Sequence, residues 1–143
     1  MHDVVLILHS WVRWAAIVVG FLALATTVAS RPGASAGRAG LFFTVVLDIQ
    51  FLLGLILLLT TNAFSDFGAT MRDPIARFYT VEHETIMIVA IALAHMGRVL
   101  ARKASTPAAA RTRTIVFFTL SVVLLIVGTP WPGMRDHRPL FRV

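Results

Sequence analysis

An all-α integral membrane bundle of four antiparallel helices is the fold class this sequence predicts, and three observations predict it. Residues 4–29, 41–60, 79–99 and 114–129 are apolar runs about long enough to cross roughly 30 Å of hydrocarbon as helices. Of the 143 residues, 57% are apolar and only 14% charged, with a mean hydropathy of +0.81, which leaves lipid as the natural cover for so much apolar surface. The connections between the runs are short, and together with the tail they collect all six prolines and most of the charges.

Each element has a local reason. The first run follows Met1-His2-Asp3, which lacks a basic leader, and it is longer than a secretory signal core, so it is read as a spanning helix. Pro32, Gly33, Gly37 and Gly40 end that helix and let the chain turn back into the second. Asp73-Pro74 has the form of an N-cap followed by proline at the first helical position, which starts the third helix at 74 and extends it to 103. Residues 105–110 read as a flexible connection. The fourth helix, 114–129, is stopped by Thr129-Pro130-Trp131-Pro132-Gly133. Phe78, Tyr79 and Trp131 are expected at the membrane boundary. A single domain, 1–143, accommodates these four helices with no separate soluble unit.

Charge orients the bundle. Arg31, Arg38, Arg98, Arg102, Lys103, Arg111 and Arg113 lie in the 1–2 and 3–4 connections without an acid among them. Arg72, Arg77, Arg135, Arg138 and Arg142 at the other end are mixed with Asp3, Asp66, Asp73 and Asp136. By the positive-inside rule the first group is cytoplasmic, so both termini are expected in the periplasm of a bacterium, with the chain in the inner membrane. The net charge of +6 thus reflects topology and contact with membrane lipid, and no nucleic-acid partner is expected.

Several chemistries are excluded. With no cysteine, the chain has no disulfide, thiolate–metal site, iron–sulfur cluster or thiol nucleophile. It carries no P-loop, HExxH, GxSxG or dinucleotide fingerprint.

What remains is a polar constellation inside the membrane. His9, Arg13, Ala16, Gly20, Ala23 and Thr27 recur at helical spacing on helix 1, as do His83, Met87, Ala90, Ala94 and Gly97 on helix 3. Gln50 and Gly54 share a face of helix 2. These stripes are expected to face inward, with His9 and His83 at matching depth near the outer end. Arg13 would lie one turn deeper, with Glu82 as its counterion, because an unpaired arginine inside a membrane is costly. Two facing histidines on different helices, with small residues between, meet the requirements for bis-histidine ligation of haem. Arg77 or the tail arginines would then reach the propionates, and Trp11, Trp14, Met87 and Trp131 would border the ring. Two alternatives stay open: a structural polar knot of His9, Arg13, Gln50, Glu82 and His83, or a metal held by His9, His83 and Glu82 or Glu84. His95 has no histidine partner at its level, so a hydrogen bond or ion pair with Asp48 is expected there. His2 and His137 are expected to be solvated.

The set His9-Ser10, Arg13-Trp14, Arg77-Phe78, Val81-Glu82-His83 and Pro130-Trp131-Pro132 resembles a group of small four-helix bacterial membrane proteins labelled cytochrome b-like. The resemblance spans nearly the whole chain. It implies a four-helix membrane bundle with His9 and His83 as ligands of haem b. Unlike the larger diheme b-type cytochromes, the chain lacks a second matched histidine pair, so one haem per chain is expected. The expected role is one-electron transfer with quinone or a respiratory redox protein as partner, with Arg13, Gln50 and Glu82 tuning the site. The alternatives are a non-enzymatic membrane subunit or assembly protein with a structural polar cluster, or a membrane protein that binds a metal or small ligand in the same cavity. Gly20, Gly54 and Gly97 permit close helix contacts, whether within one chain or in an oligomer.

Overall fold

The computed structural model describes residues 2–29, 37–61, 64–133 and 141. Its helices are α1 (His2–Ala29), α2 (Gly37–Thr60), α3 (Phe67–Arg72), α4 (Pro74–Arg77), α5 (His83–Arg102) and α6 (Pro107–Gly128). A π-helical turn, Phe78–Glu82, joins α4 to α5, so that Pro74–Arg102 runs as one rod. Four helical spans, α1, α2, this rod and α6, are long and apolar enough to cross a membrane. The chain is an all-α membrane bundle, and among the described residues there is no strand.

The spans pack in a ring. α1 lies against α2 and α6, and α5 lies against α6 and α2, which leaves α1 and α5 on a diagonal across the bundle. The interior is built from small residues and a few aromatics: Ala16, Ala23, Ala90 and Ala94 pack with Phe43, Leu47, Phe118, Val122 and Leu125. Phe43 meets Phe118 edge to face at 5.2 Å between ring centres. Larger aliphatic side chains such as Val18, Leu22, Leu52, Leu59 and Val127 point outward, the reverse of a soluble core and the expected pattern in lipid. The small-residue stripes of α1 and α5 are indeed buried, and Gly20 and Gly97 lie where an added Cβ would meet a neighbouring helix.

Helix ends explain where the sequence reading was short. α6 begins at Pro107, not at 114, because Thr106 caps it by accepting a hydrogen bond from the amide of Ala109 at 3.1 Å. Thr106-Pro107 is therefore the same N-cap and proline device as Asp73-Pro74, and 105–110 is not simply a flexible connection. The earlier start places Arg111 and Arg113 on a helix. Arg111 donates to the carbonyls of Thr27 and Val28 at the end of α1, and Arg113 donates to Leu100 near the end of α5 at 2.8 Å. Guanidinium groups thus satisfy orphan carbonyls and complement the negative ends of two helices. Short α3, capped by Asp66, was not foreseen. Arg31, Pro32 and Gly33 of the first connection, and Arg135, Asp136, His137, Arg138 and Arg142 of the tail, lie outside the described residues.

Asp73 caps α4 as expected, accepting from the amides of Ile75 at 2.8 Å and Ala76 at 3.0 Å. Those two bonds hold its carboxyl below the ordinary carboxylate value. The stabilisation is therefore present above the ordinary pKa and is lost as pH falls through the depressed one. Replacing Asp73 by Ala should speed hydrogen exchange at the Ile75 and Ala76 amides at neutral pH, with the wild type approaching the variant only in acid.

At Gly97 an added methyl group would lie 2.6 Å from Cβ of Phe117, so α5 and α6 would have to separate. Gly97→Ala should cost about 1–3 kcal/mol of stability in detergent unfolding, an overpacking penalty. The outward Val123→Leu should be near neutral.

Candidate functional site

The half of the bundle nearer the start of α1 is hollow. A cavity of about 690 Å³ is lined by α1, α2, the Pro74–Arg102 rod and the end of α6. Its size falls within the usual range for ligand sites, roughly 300–1,000 Å³. His9, Arg13, Gln50, His83 and Met87 all line it, as do the small residues Ser10, Ala16, Gly54 and Thr80. The space exists because these positions carry little side chain on faces that otherwise would fill the interior.

His9 from α1 and His83 from α5 meet across the bundle diagonal, their ring centres 6.3 Å apart and their planes at 73°. Each ring is held by a neighbouring helix. Nδ1 of His83 lies 2.8 Å from the carbonyl of Gly128, which can only accept, so Nδ1 carries the hydrogen and Nε2 keeps its lone pair. The amide nitrogen of Gln50 is 3.1 Å from the carbonyl of His9 and 3.2 Å from its Nε2. Both contacts are donated by Gln50, since the opposite amide orientation would set two carbonyl oxygens together. His9 is thereby the tautomer with hydrogen on Nδ1. Among the described residues, neither that nitrogen nor Oε1 of Gln50 finds a hydrogen-bond partner, although both are buried.

The π turn sets which residues enter this space. In an α-helix, residues five apart diverge by about 140°. The wider turn at Phe78–Glu82 brings such residues over one another, and Arg77 Nε donates to Glu82 Oε1 at 3.0 Å. Glu82 is thus bonded to Arg77 on its own rod, and neither Arg77 nor Glu82 lines the cavity. Arg13 itself lies over the ring of Trp14, 5.1 Å from its centre. Trp11, Trp14 and Trp131 do not border the cavity as expected: Trp14 packs against Trp131 and Phe141, and Trp11 against Phe141.

One contributor, the carbonyl of Gly128, was not foreseen, and another, Glu84, was expected only as an alternative to Glu82 in a metal site. Glu84 enters the cavity in place of Glu82, close to His9 beside Gly54. The Gly128 carbonyl has no side-chain signature, but the stop at Thr129-Pro130 marks where a helix leaves its last carbonyls unpaired. His2 is bonded to Thr60 at 3.0 Å and lines the cavity rather than being wholly solvated. Among the described residues, no group of three His, Cys, Asp or Glu side chains is placed to hold a metal ion. No protein-family model, curated protein or solved structure matches the chain.

Gln50→Leu removes both bonds to His9 while keeping the volume nearly unchanged. A loss of about 1–2 kcal/mol in detergent unfolding is expected, the scale of interhelical polar contacts in membranes.

Proposed function

We propose that this chain is a b-type haem protein of the bacterial inner membrane, holding one haem between His9 and His83 and taking part in one-electron transfer. The observation that carries the reading is the pair of imidazoles facing each other from diagonal helices inside a cavity. Their ring centres are 6.3 Å apart, and His9 and His83 would be the residues to hold the haem iron. The bond from His83 to Gly128 supports it further, because it fixes the tautomer and orientation in the way that ligating histidines are commonly held.

When bound, the haem supplies a reversible one-electron couple. The chain's own residues have the remaining work. His83 presents Nε2 to the cavity; His9 presents Nε2 once Gln50 yields that contact, and Gln50 keeps its bond to the His9 carbonyl. Arg13 adds positive charge to the cavity wall, and Glu84 adds a carboxylate able to hold a proton. Quinone or a respiratory redox protein is the proposed electron partner. The apolar wall of Leu6, Ile17, Leu57 and Leu58 favours a membrane-soluble carrier, an argument by analogy with other membrane cytochromes. The arginines gathered at the opposite end of the bundle support a cytoplasmic position for that end and a periplasmic one for the cavity and both termini.

The contacts from Gln50 to His9 favour a second reading, a non-enzymatic membrane subunit whose polar cluster fixes helix packing.

The test is a visible difference spectrum, oxidised minus dithionite-reduced, of full-length protein purified from haem-replete cells. A low-spin b-type spectrum at about one haem per chain is expected. His9→Ala and His83→Ala should each abolish it while circular dichroism still reports a helical bundle. A flat spectrum from the folded wild type would overturn the haem reading and leave the structural one.

A further inference from the structure

Asp48 and His95 form a polar pair that the cavity does not use. Nε2 of His95 lies 2.8 Å from Oδ1 of Asp48, linking α5 to α2, as the sequence led us to expect. Their position is the unusual feature. His95 is about 10 Å from the Arg102 end of α5 and Asp48 about 17 Å from the Gly37 end of α2, both well inside the spans. Yet their side chains remain 45% and 51% exposed, on the outer wall of the bundle. That wall is otherwise apolar: Val45, Ile49 and Leu52 flank Asp48, and Ile88 and Met96 flank His95, all pointing outward.

Ionisable residues inside a membrane almost always face a bundle interior or a water-filled space. This pair faces neither. It is absent from the cavity lining, and about 16 Å of α5, including Ile88 and Ile91, separates His95 from Glu84. Arg98, the nearest cation along α5, is bonded instead to Thr44 at 2.8 Å. Lipid tails offer Asp48 and His95 no hydrogen bond.

We infer that the α2/α5 wall is an interface at which a second copy of this chain docks side by side, with the two Asp48–His95 pairs meeting near a two-fold axis along the membrane normal. The argument is charge complementarity. Each pair sets an acid beside a base: the second carboxylate oxygen of Asp48 and Nδ1 of His95 are the polar atoms that the Nε2–Oδ1 contact leaves over. A pair of that kind is its own complement under two-fold symmetry, where each group meets the mate of its neighbour at the same depth. Two pairs that meet remove four polar groups from lipid. The small Ala92, exposed one turn from His95, lets the two walls approach.

The absence of native cysteine makes a direct test possible. Full-length Ala92→Cys, with its thiol on this wall, and Val123→Cys, exposed on α6, are oxidised with copper phenanthroline in native membranes. Products are weighed by mass spectrometry. Ala92→Cys should give a product of twice the chain mass at least about tenfold faster than Val123→Cys. Adding Asp48→Leu and His95→Leu to Ala92→Cys should lower that rate about tenfold, with helix content unchanged. The inference is overturned by no dimer from Ala92→Cys, by equal rates from both positions, or by an unchanged rate in the leucine pair. A cross-linked product of another mass, meaning that a different protein covers the wall, overturns it equally.

Discussion

Hydrocarbon offers no hydrogen bonds, and every polar group that this bundle carries into the membrane must therefore be answered by protein. The rest of the architecture follows from that constraint. Thr27, Thr44, Thr114 and Thr129 return their hydroxyls to carbonyls one turn back. Arg111 and Arg113 take up carbonyls that the ends of α1 and α5 would otherwise leave unpaired. Gln50 reaches from α2 to His9 on α1, and His83 reaches from α5 to the end of α6. Helices that share a small-residue interior are thus also cross-linked by polar contacts, each of modest energy, roughly 0.6–2 kcal/mol.

The cavity arises where these two features diverge. Toward the half nearer the end of α1, Phe43 and Phe118 fill the space that Gly20 and the alanines leave. Toward the half nearer the start of α1 the inward positions are again small or polar, Phe78 is buried beside His83, and His9 and His83 meet across what remains. The π turn adds the last adjustment, drawing Arg77 and Glu82 together on the rod and leaving Glu84 to line the cavity. π-helical turns are frequent at functional sites because they redirect side chains without breaking the helix.

Satisfaction is nearly complete at the helix ends and incomplete at the centre of the cavity, where Nδ1 of His9 and Oε1 of Gln50 are buried without partners among the described residues. Unsatisfied buried atoms in a native fold call for an explanation, commonly a site whose ligand or water completes them. They occur beside the two facing imidazoles, which is why the cavity, rather than the Asp48–His95 pair, is the centre of the proposed redox function.

Periodicity alone was enough to determine the four spans, the inward stripes of α1 and α5, the N-cap at Asp73 and the joint level of His9 and His83, because each depends only on local helix geometry and the length of a bilayer crossing. The Asp48–His95 contact was legible for the same reason. The counterion of Glu82, the entry of Glu84, the tautomers of the histidines and the placement of the tryptophans required the tertiary structure. A single π turn rotates everything before it relative to everything after it, and no residue pattern in 78–82 announces that turn. Backbone carbonyls, such as that of Gly128, have no letter in a sequence; they become ligands for side chains only when another helix ends beside them.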